Sequence, residues 1–184
     1  MKIRIRQAVT EDIPVLRGLI DASVRRLQTR DYTPSQIESA LATVYGVDTQ
    51  LIADGTYLVA EAETGADAAS LIVGCGGWSK RKTLYGGDQY RSRDASYLDP
   101  ESEPAKIRAF FIHPDHARKG IARAILNECE KEARAEGFRA LELMATLPGI
   151  EFYKSVGFKE TGNFDLELTE RVKLELVPMR KELL

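Results

Sequence analysis

At the head of the chain Ile3 and Ile5 alternate with Lys2, Arg4 and Arg6, the period-two spacing of a strand with one buried face. The period then lengthens. Ile13, Leu16, Leu19, Ile20 and Val24 recur at helical spacing behind Thr10, Glu11 and Asp12, which predicts a helix capped by Thr10 with acids in its first turn. Thr33, Pro34 and Gln36 repeat the signal with a cap, a first-turn proline and a capping-box partner, and predict a second helix to about Val44. Apolar runs at 57–60 and 71–75, parted by Thr64, Gly65, Ala66 and Asp67, predict two adjacent strands joined by a short loop. Gly74, Gly76 and Gly77 mark a bulge or a close backbone approach where the second run ends.

Residues 79–104 break the rhythm with a long polar stretch rich in Tyr, Arg and Asp, and a connection of that length has a function or moves. A strand follows at 107–112, whose last residues, Ala109 to Ile112, are apolar without alternation, as in a central strand covered on both faces. Ile121, Ala122, Ile125, Leu126, Cys129 and Ala133 then share one helical face that ends before Gly137. A strand at 140–145, a short helix at 148–155 stopped by Gly157, and alternating strands at 164–168 and 172–179 complete the chain. This order predicts a mixed sheet with helices on both faces and a parallel strand–helix–strand crossover over 107–146.

A length of 184 residues fits one domain spanning 1–184, and 43% hydrophobic with 29% charged residues argues against disorder. The formal net charge of −2 gives no long-range field for gathering nucleic acid or an anionic membrane, and neither partner is expected. MKIRIRQ alternates charge instead of opening an apolar leader and no run reaches 18 apolar residues, so a cytoplasmic location is expected. Cys75 and Cys129 lie in apolar segments without a CxxC and are expected as buried thiols. His113 and His116 flank Pro114 and Asp115 without further ligands, and no metal site is expected.

The chemistry concentrates in HPDHARKGIARA, residues 113–124. A strand that turns at Pro114 into a helix with Arg118, Lys119, Gly120 and Ala122 at its mouth is suited to phosphate. Helix N-terminal N–H groups lack intrahelical partners, the dipole favours negative charge, and glycine admits a ligand to the main chain.

FFIHPDHARKGIARAIL at 110–126, with FYKSVGF downstream at 152–158, resembles the GCN5-related N-acetyltransferases, the GNAT superfamily. The resemblance implies the α/β acyl-CoA N-acyltransferase fold, a mixed and mostly antiparallel sheet of about seven strands flanked by about four helices. It implies acetyl-CoA as co-substrate, its pyrophosphate held by Arg118, Lys119, Gly120, Ile121 and Ala122 with charge added by Arg123. Phe111, Ile112 and His113 are implied to offer main chain to the pantetheine arm, one N–H facing the thioester oxygen, and Tyr153 to protonate the departing sulfur.

Two departures stand out. Ala117 occupies a position where the superfamily usually has Gln or Arg, and the strand before the turn carries Lys106 and Arg108 with no glutamate to serve as base. Either a water chain takes the acceptor's proton or an acid arrives from the long loop, where Asp88, Asp94, Asp99, Glu101 and Glu103 are candidates. The same loop interleaves Tyr85, Tyr90 and Tyr97 with Arg81, Lys82, Arg91 and Arg93. Tyr85, Asp88 and Arg91 are its candidate acceptor-binding residues, and a solvated cover is the alternative.

The implied reaction is direct acetyl transfer, in a ternary complex, to a primary amine of a small molecule or an exposed protein amine. A non-catalytic acyl-CoA sensor and a transferase of a different acyl group are the competing readings. Pocket volume beside Phe111 and Leu143 decides the latter. Exposed strand edges near the C terminus are a seam for a homodimer.

Overall fold

The computed structural model describes residues 2–63 and 70–183. In chain order it contains β1 (Ile3–Gln7), α1 (Ile13–Leu27), α2 (Pro34–Thr43), α3 (Thr49–Ala53), β2 (Tyr57–Ala62), β3 (Leu71–Ser79), β4 (Ala105–Ile112), α4 (Ile121–Ala135), β5 (Ala140–Thr146), α5 (Ile150–Ser155), β6 (Lys159–Glu160), β7 (Phe164–Thr169) and β8 (Val172–Glu182). One sheet of 8 strands runs β1-β2-β3-β4-β5-β8-β6, and β7 also pairs with β8. The strands pair antiparallel except β4 and β5, the ends of the expected crossover, which run parallel.

The mixed α/β expectation holds, with local corrections. Thr10–Asp12 forms a 3₁₀ turn and α1 begins only at Ile13. Thr10 does not cap α1; Asp12 stands at its N-cap position without a cap bond into it, and its carboxylate instead closes the 3₁₀ turn by accepting from Val9 N–H at 2.8 Å and is held by Arg6 at 2.7 and 2.9 Å. Neither α3 nor β6 was expected, since 5 and 2 residues are too few to show a period. The predicted connection at Thr64–Gly65–Ala66–Asp67 lies outside the described residues. At α2 the predicted capping box is present, with Gln36 N–H donating to Thr33 Oγ1 and Thr33 N–H to Gln36 Oε1.

Strand alternation sends side chains to two cores. In β2, Leu58, Ala60 and Ala62 pack with α4 residues such as Ile121, Ile125 and Cys129, whereas Tyr57 and Val59 pack with Leu16, Ile20 and Val24 of α1 and Ile37 of α2. Both cysteines are fully buried. No helix among the described residues is long and apolar enough to cross a membrane.

Two irregularities interrupt the middle of the sheet. First, β4 pairs with β5 only at Ala105–Leu141 and Lys106–Glu142, so the two strands part beyond Lys106. Second, Cys75 faces Phe111 while Gly77 faces Arg108, which leaves one extra residue in β4, a β-bulge. Ala109 takes the strain there with φ 56°, a left-handed conformation that costs a non-glycine residue roughly 1–2 kcal/mol. Gly76 makes the bulge sterically feasible, because a Cβ at that position would lie 2.6 Å from the Phe110 ring.

Candidate active site

The segment from β4 into α4 is shaped by its own dihedral angles. Pro114–His116 forms a 3₁₀ turn, Arg118 adopts φ 64° and Gly120 φ 80°. Left-handed residues on either side of Lys119 turn successive N–H groups inward, as in an anion-binding nest. Gly120 is the N-cap of α4 without a side-chain cap, and the first intrahelical bond runs from Ala124 N–H to Gly120 O. The N–H groups of Ile121, Ala122 and Arg123 are therefore left over for an anion. Arg118, Lys119 and Arg123 are exposed around them. Lys119 Nζ donates to Asp115 O at 2.9 Å and Arg123 reaches Ser155 Oγ of α5 at 3.3 Å.

Of the main-chain groups expected to meet a pantetheine arm, the structure narrows the choice. His113 N–H already donates to Val73 O at 2.9 Å. In an antiparallel ladder successive residues point opposite ways, so Phe111 turns its groups toward β3 and Ile112 turns its own away from it. Ile112 therefore presents N–H and C=O on the side where β5 has parted from β4.

The parting of the strands admits a cavity of about 270 Å³ through the sheet. On the α4–α5 side it is lined by Ala122, Phe152 and Tyr153, and on the α1–α2 side by Ser23, Gln28 and Tyr45; Phe111 and Leu143 lie between them in its wall. Tyr153 packs edge-on to Phe158 with ring centroids 5.6 Å apart, and edge-on to Phe110 at 6.5 Å. It is thus both a packing residue and a wall of the cavity. Burial of its phenol raises its pKa, and no hydrogen bond to its hydroxyl is formed among the described residues. The turn that aims α5 is held by Tyr32, which accepts from Leu147 N–H at 2.9 Å and donates to Glu175 O at 2.7 Å.

The long loop is fastened rather than free. Arg81 forms a fork with Asp54 at 2.7 and 2.8 Å and stacks on Tyr97 at 4.3 Å, and Thr83 and Asp94 bond reciprocally. Arg93 bonds Gly86 O and Gly87 O at 2.8 and 2.9 Å and pairs with Asp48 at 2.9 Å. Arg108 on β4 meets the same carboxylate at 2.5 Å and Gly86 O at 2.6 Å. Asp48 is fully buried and Arg108 only 5% exposed. Burial pushes the Arg108 guanidinium down to about 10, still charged at neutral pH, with Asp48 opposing that shift. The ion cluster presses Leu84, Tyr85, Gly86 and Gly87 against the cavity.

Among the expected acceptor residues, Tyr85 lines the cavity and Asp88 and Arg91 do not. Asp88 is exposed and accepts from Thr49 N–H at 3.0 Å at the start of α3; Arg91 is exposed on the loop. Asp94 and Asp99 are occupied by Ser96 and Ser102, and neither they nor Glu101 and Glu103 reach the cavity. Gln28, Tyr45 and Arg108 are among the polar cavity residues that sequence reading did not assign. Charges at Lys106 and Arg108 inside a central strand were the available signal for Arg108. Among the described residues no cluster of His, Cys, Asp or Glu could hold a metal ion.

A family model described as Acetyltransferase (GNAT) family matches residues 22–158. A curated relative, an uncharacterized N-acetyltransferase of Methanocaldococcus jannaschii, is 38% identical over 61 residues, 32% of this chain and 27% of that protein, so the match spans only about a quarter of the relative's length. Among solved structures, a GCN5-related N-acetyltransferase from Rhodopseudomonas palustris superposes with a TM-score of 0.69 at 20% identity, covering 100% of this chain and 97% of that one. A putative acetyltransferase from Salmonella typhimurium, YncA, solved with its cofactor acetyl-CoA, gives 0.63 at 19% identity over 100% and 95% of the two chains. PaiA N-acetyltransferase from Thermoplasma acidophilum, solved in complex with coenzyme A, gives 0.62 at 18% identity over 99% of each.

Proposed function

Because this chain belongs to the GNAT acetyltransferase family, we propose that it transfers an acetyl group from acetyl-CoA directly to a primary amine bound in the same cavity. The observation that carries this reading is the cavity itself. It joins Ala122 in the first turn of α4, the Ile112 main chain and Tyr153 on one side of the sheet to Ser23, Gln28 and Tyr45 on the other. Two reactants can thus meet in the plane of the sheet without a covalent relay. Cys129 is unsuited to such a relay, being fully buried with its pKa pushed well up by desolvation.

Acetyl-CoA supplies a thioester carbonyl and a thiol leaving group. Residues 118–122, with Arg123, hold the pyrophosphate by main-chain N–H and local charge, a fit supported by the two left-handed residues and the uncapped helix start. Ile112 N–H is oriented to receive the negative charge that develops on the carbonyl oxygen. As the C–N bond forms and the C–S bond breaks, Tyr153 gives its proton to the sulfur and recovers one from solvent. The proton lost by the attacking nitrogen also leaves to water, since no Asp, Glu or His is among the residues lining the cavity.

The test is release of free thiol from acetyl-CoA across a panel of amines, amino acids, polyamines, aminoglycosides and peptides. Tight binding of acetyl-CoA with no thiol released by any of them would favour the sensor reading. Gly120→Val separates donor binding from chemistry. A β-branched residue at φ 80° is strained by roughly 1–2 kcal/mol, and relief of that strain distorts the N–H nest. The KM for acetyl-CoA is expected to rise about tenfold or more with kcat at saturation little changed. An unchanged KM would move the phosphate site elsewhere.

A further inference from the structure

The acceptor side of the cavity is walled by buried polar groups whose hydrogen bonding is incomplete. Arg108 is 5% exposed; its Nη2 bonds Gly86 O and lies 2.5 Å from Asp48 Oδ2 as an ion pair without a hydrogen bond, and its Nε is buried with no hydrogen-bond partner. The charge around it is also unbalanced, because Arg93 and Arg108 share the single buried carboxylate of Asp48. Asp88 is the other acid that acts on Arg108, but it is exposed and engaged with Thr49. Gln28 Oε1 and the Tyr45 hydroxyl are likewise buried beside one another without a hydrogen bond of good geometry. All three residues line the cavity, which has no carboxylate in its lining.

A buried guanidinium N–H without an acceptor is costly, and a charged donor is the costliest kind to leave unmade. The group that removes the cost and the charge imbalance together is an anion with a lone pair for Nε. A polyamine or an aminoglycoside would bring further positive charge to a wall that has no acid to receive it. Resting on the acetyl-transfer reading above, we infer that Arg108 is the specificity-determining residue of the acceptor site. The acceptor is an amine that carries a carboxylate, of the chemical class of a free amino acid. The Arg108 guanidinium binds the carboxylate after a side-chain shift that opens it to the cavity, and Gln28 and Tyr45 are neutral partners for the acceptor's remaining polar groups.

The experiment compares matched acceptors on the intact protein: free amino acids, the corresponding amino-acid amides, and spermidine as a cationic control. The expected kcat/KM for the best amino acid exceeds that of its amide by about tenfold or more, with spermidine poorer still. Thiol release that is equal or better with amides or spermidine overturns the inference and leaves acetyl transfer standing. A second arm does not depend on turnover: thermal stabilisation by N-acetyl amino acids against their amides at matched concentration. Selective stabilisation by the carboxylates, with no thiol released by any acceptor, upholds the anion site and overturns the transferase reading. The absence of selectivity in both arms overturns the site. Arg108→Lys keeps the charge and loses Nε, so it is expected to raise KM for the amino acid about tenfold while KM for acetyl-CoA stays within twofold. If that variant does not fold, the comparison of acceptors on the native chain still decides.

Discussion

Tyr153→Phe lowers turnover by about tenfold or more and leaves acetyl-CoA binding nearly unchanged. The size reflects the general range for a positioned proton donor, roughly 10²–10⁴-fold, reduced where water substitutes for the lost phenol. The ring contributes packing against Phe110, Phe152 and Phe158, and phenylalanine retains it, so the fold and the donor site are preserved. A pH profile separates the acid role from a packing role. Burial raises the Tyr153 pKa above its ordinary value of about 10, and an acid works only while protonated. The alkaline fall in kcat therefore lies above pH 10 in the native enzyme and disappears in the phenylalanine variant, leaving a low plateau. Equal turnover of the two proteins would remove Tyr153 from the chemistry.

The largest effect on stability is expected at Asp48→Ala. The carboxylate is fully buried, binds Arg93 at 2.9 Å and Arg108 at 2.5 Å, and accepts from Leu51 N–H at the start of α3. Its removal leaves two guanidiniums facing each other across a desolvated site. Breaking a buried pair in this way typically costs about 3–5 kcal/mol, which for a chain of this size lowers Tm by roughly 6–20 °C. Asp88→Ala is the control, since an exposed capping carboxylate is worth only about 1 kcal/mol. If calorimetry shows the two variants equally stable, the ion cluster does not hold the loop. Activity should fall with Asp48→Ala as well, because the loop residues Tyr85 and Gly86 form part of the cavity wall.

Legibility in the sequence tracked the range of the interactions. The turn at 113–124 and the capping box at Thr33 were readable because every participant lies within a few residues of the next, so spacing alone reports geometry. The same is true of α4, whose buried residues Ile121, Ile125, Leu126, Cys129 and Ala133 keep one helical face. The acceptor wall was not readable in this way. Arg93 and Arg108 find Asp48 across 45 and 60 positions of sequence, and no period or local motif records such a meeting. Thr10 misled for a related reason. It has the side chain of a cap, but the Arg6 fork fixes Asp12 where it can take the Val9 N–H, and the helix starts one turn later. The long loop read as either clamp or cover because its composition suits both. Its fastening to Asp48 and Asp54 makes it part of the wall.

The pairing of β4 with β5 at only two positions has a consequence for the protein as a thermodynamic object. The sheet is two half-sheets, β1 to β4 and β5 to β8, stitched at one end by Ala105–Leu141 and Lys106–Glu142 and otherwise joined through helices and side chains. A donor whose arm bonds along Ile112 acts as the strand that the seam lacks. Supply of the donor and cohesion of the fold are then one linked equilibrium: at a hundredfold excess over its Kd, binding adds about 2.7 kcal/mol to the stability of the whole chain. On the acetyl-transfer reading, the stability of this sheet rises with the acyl-CoA level around it.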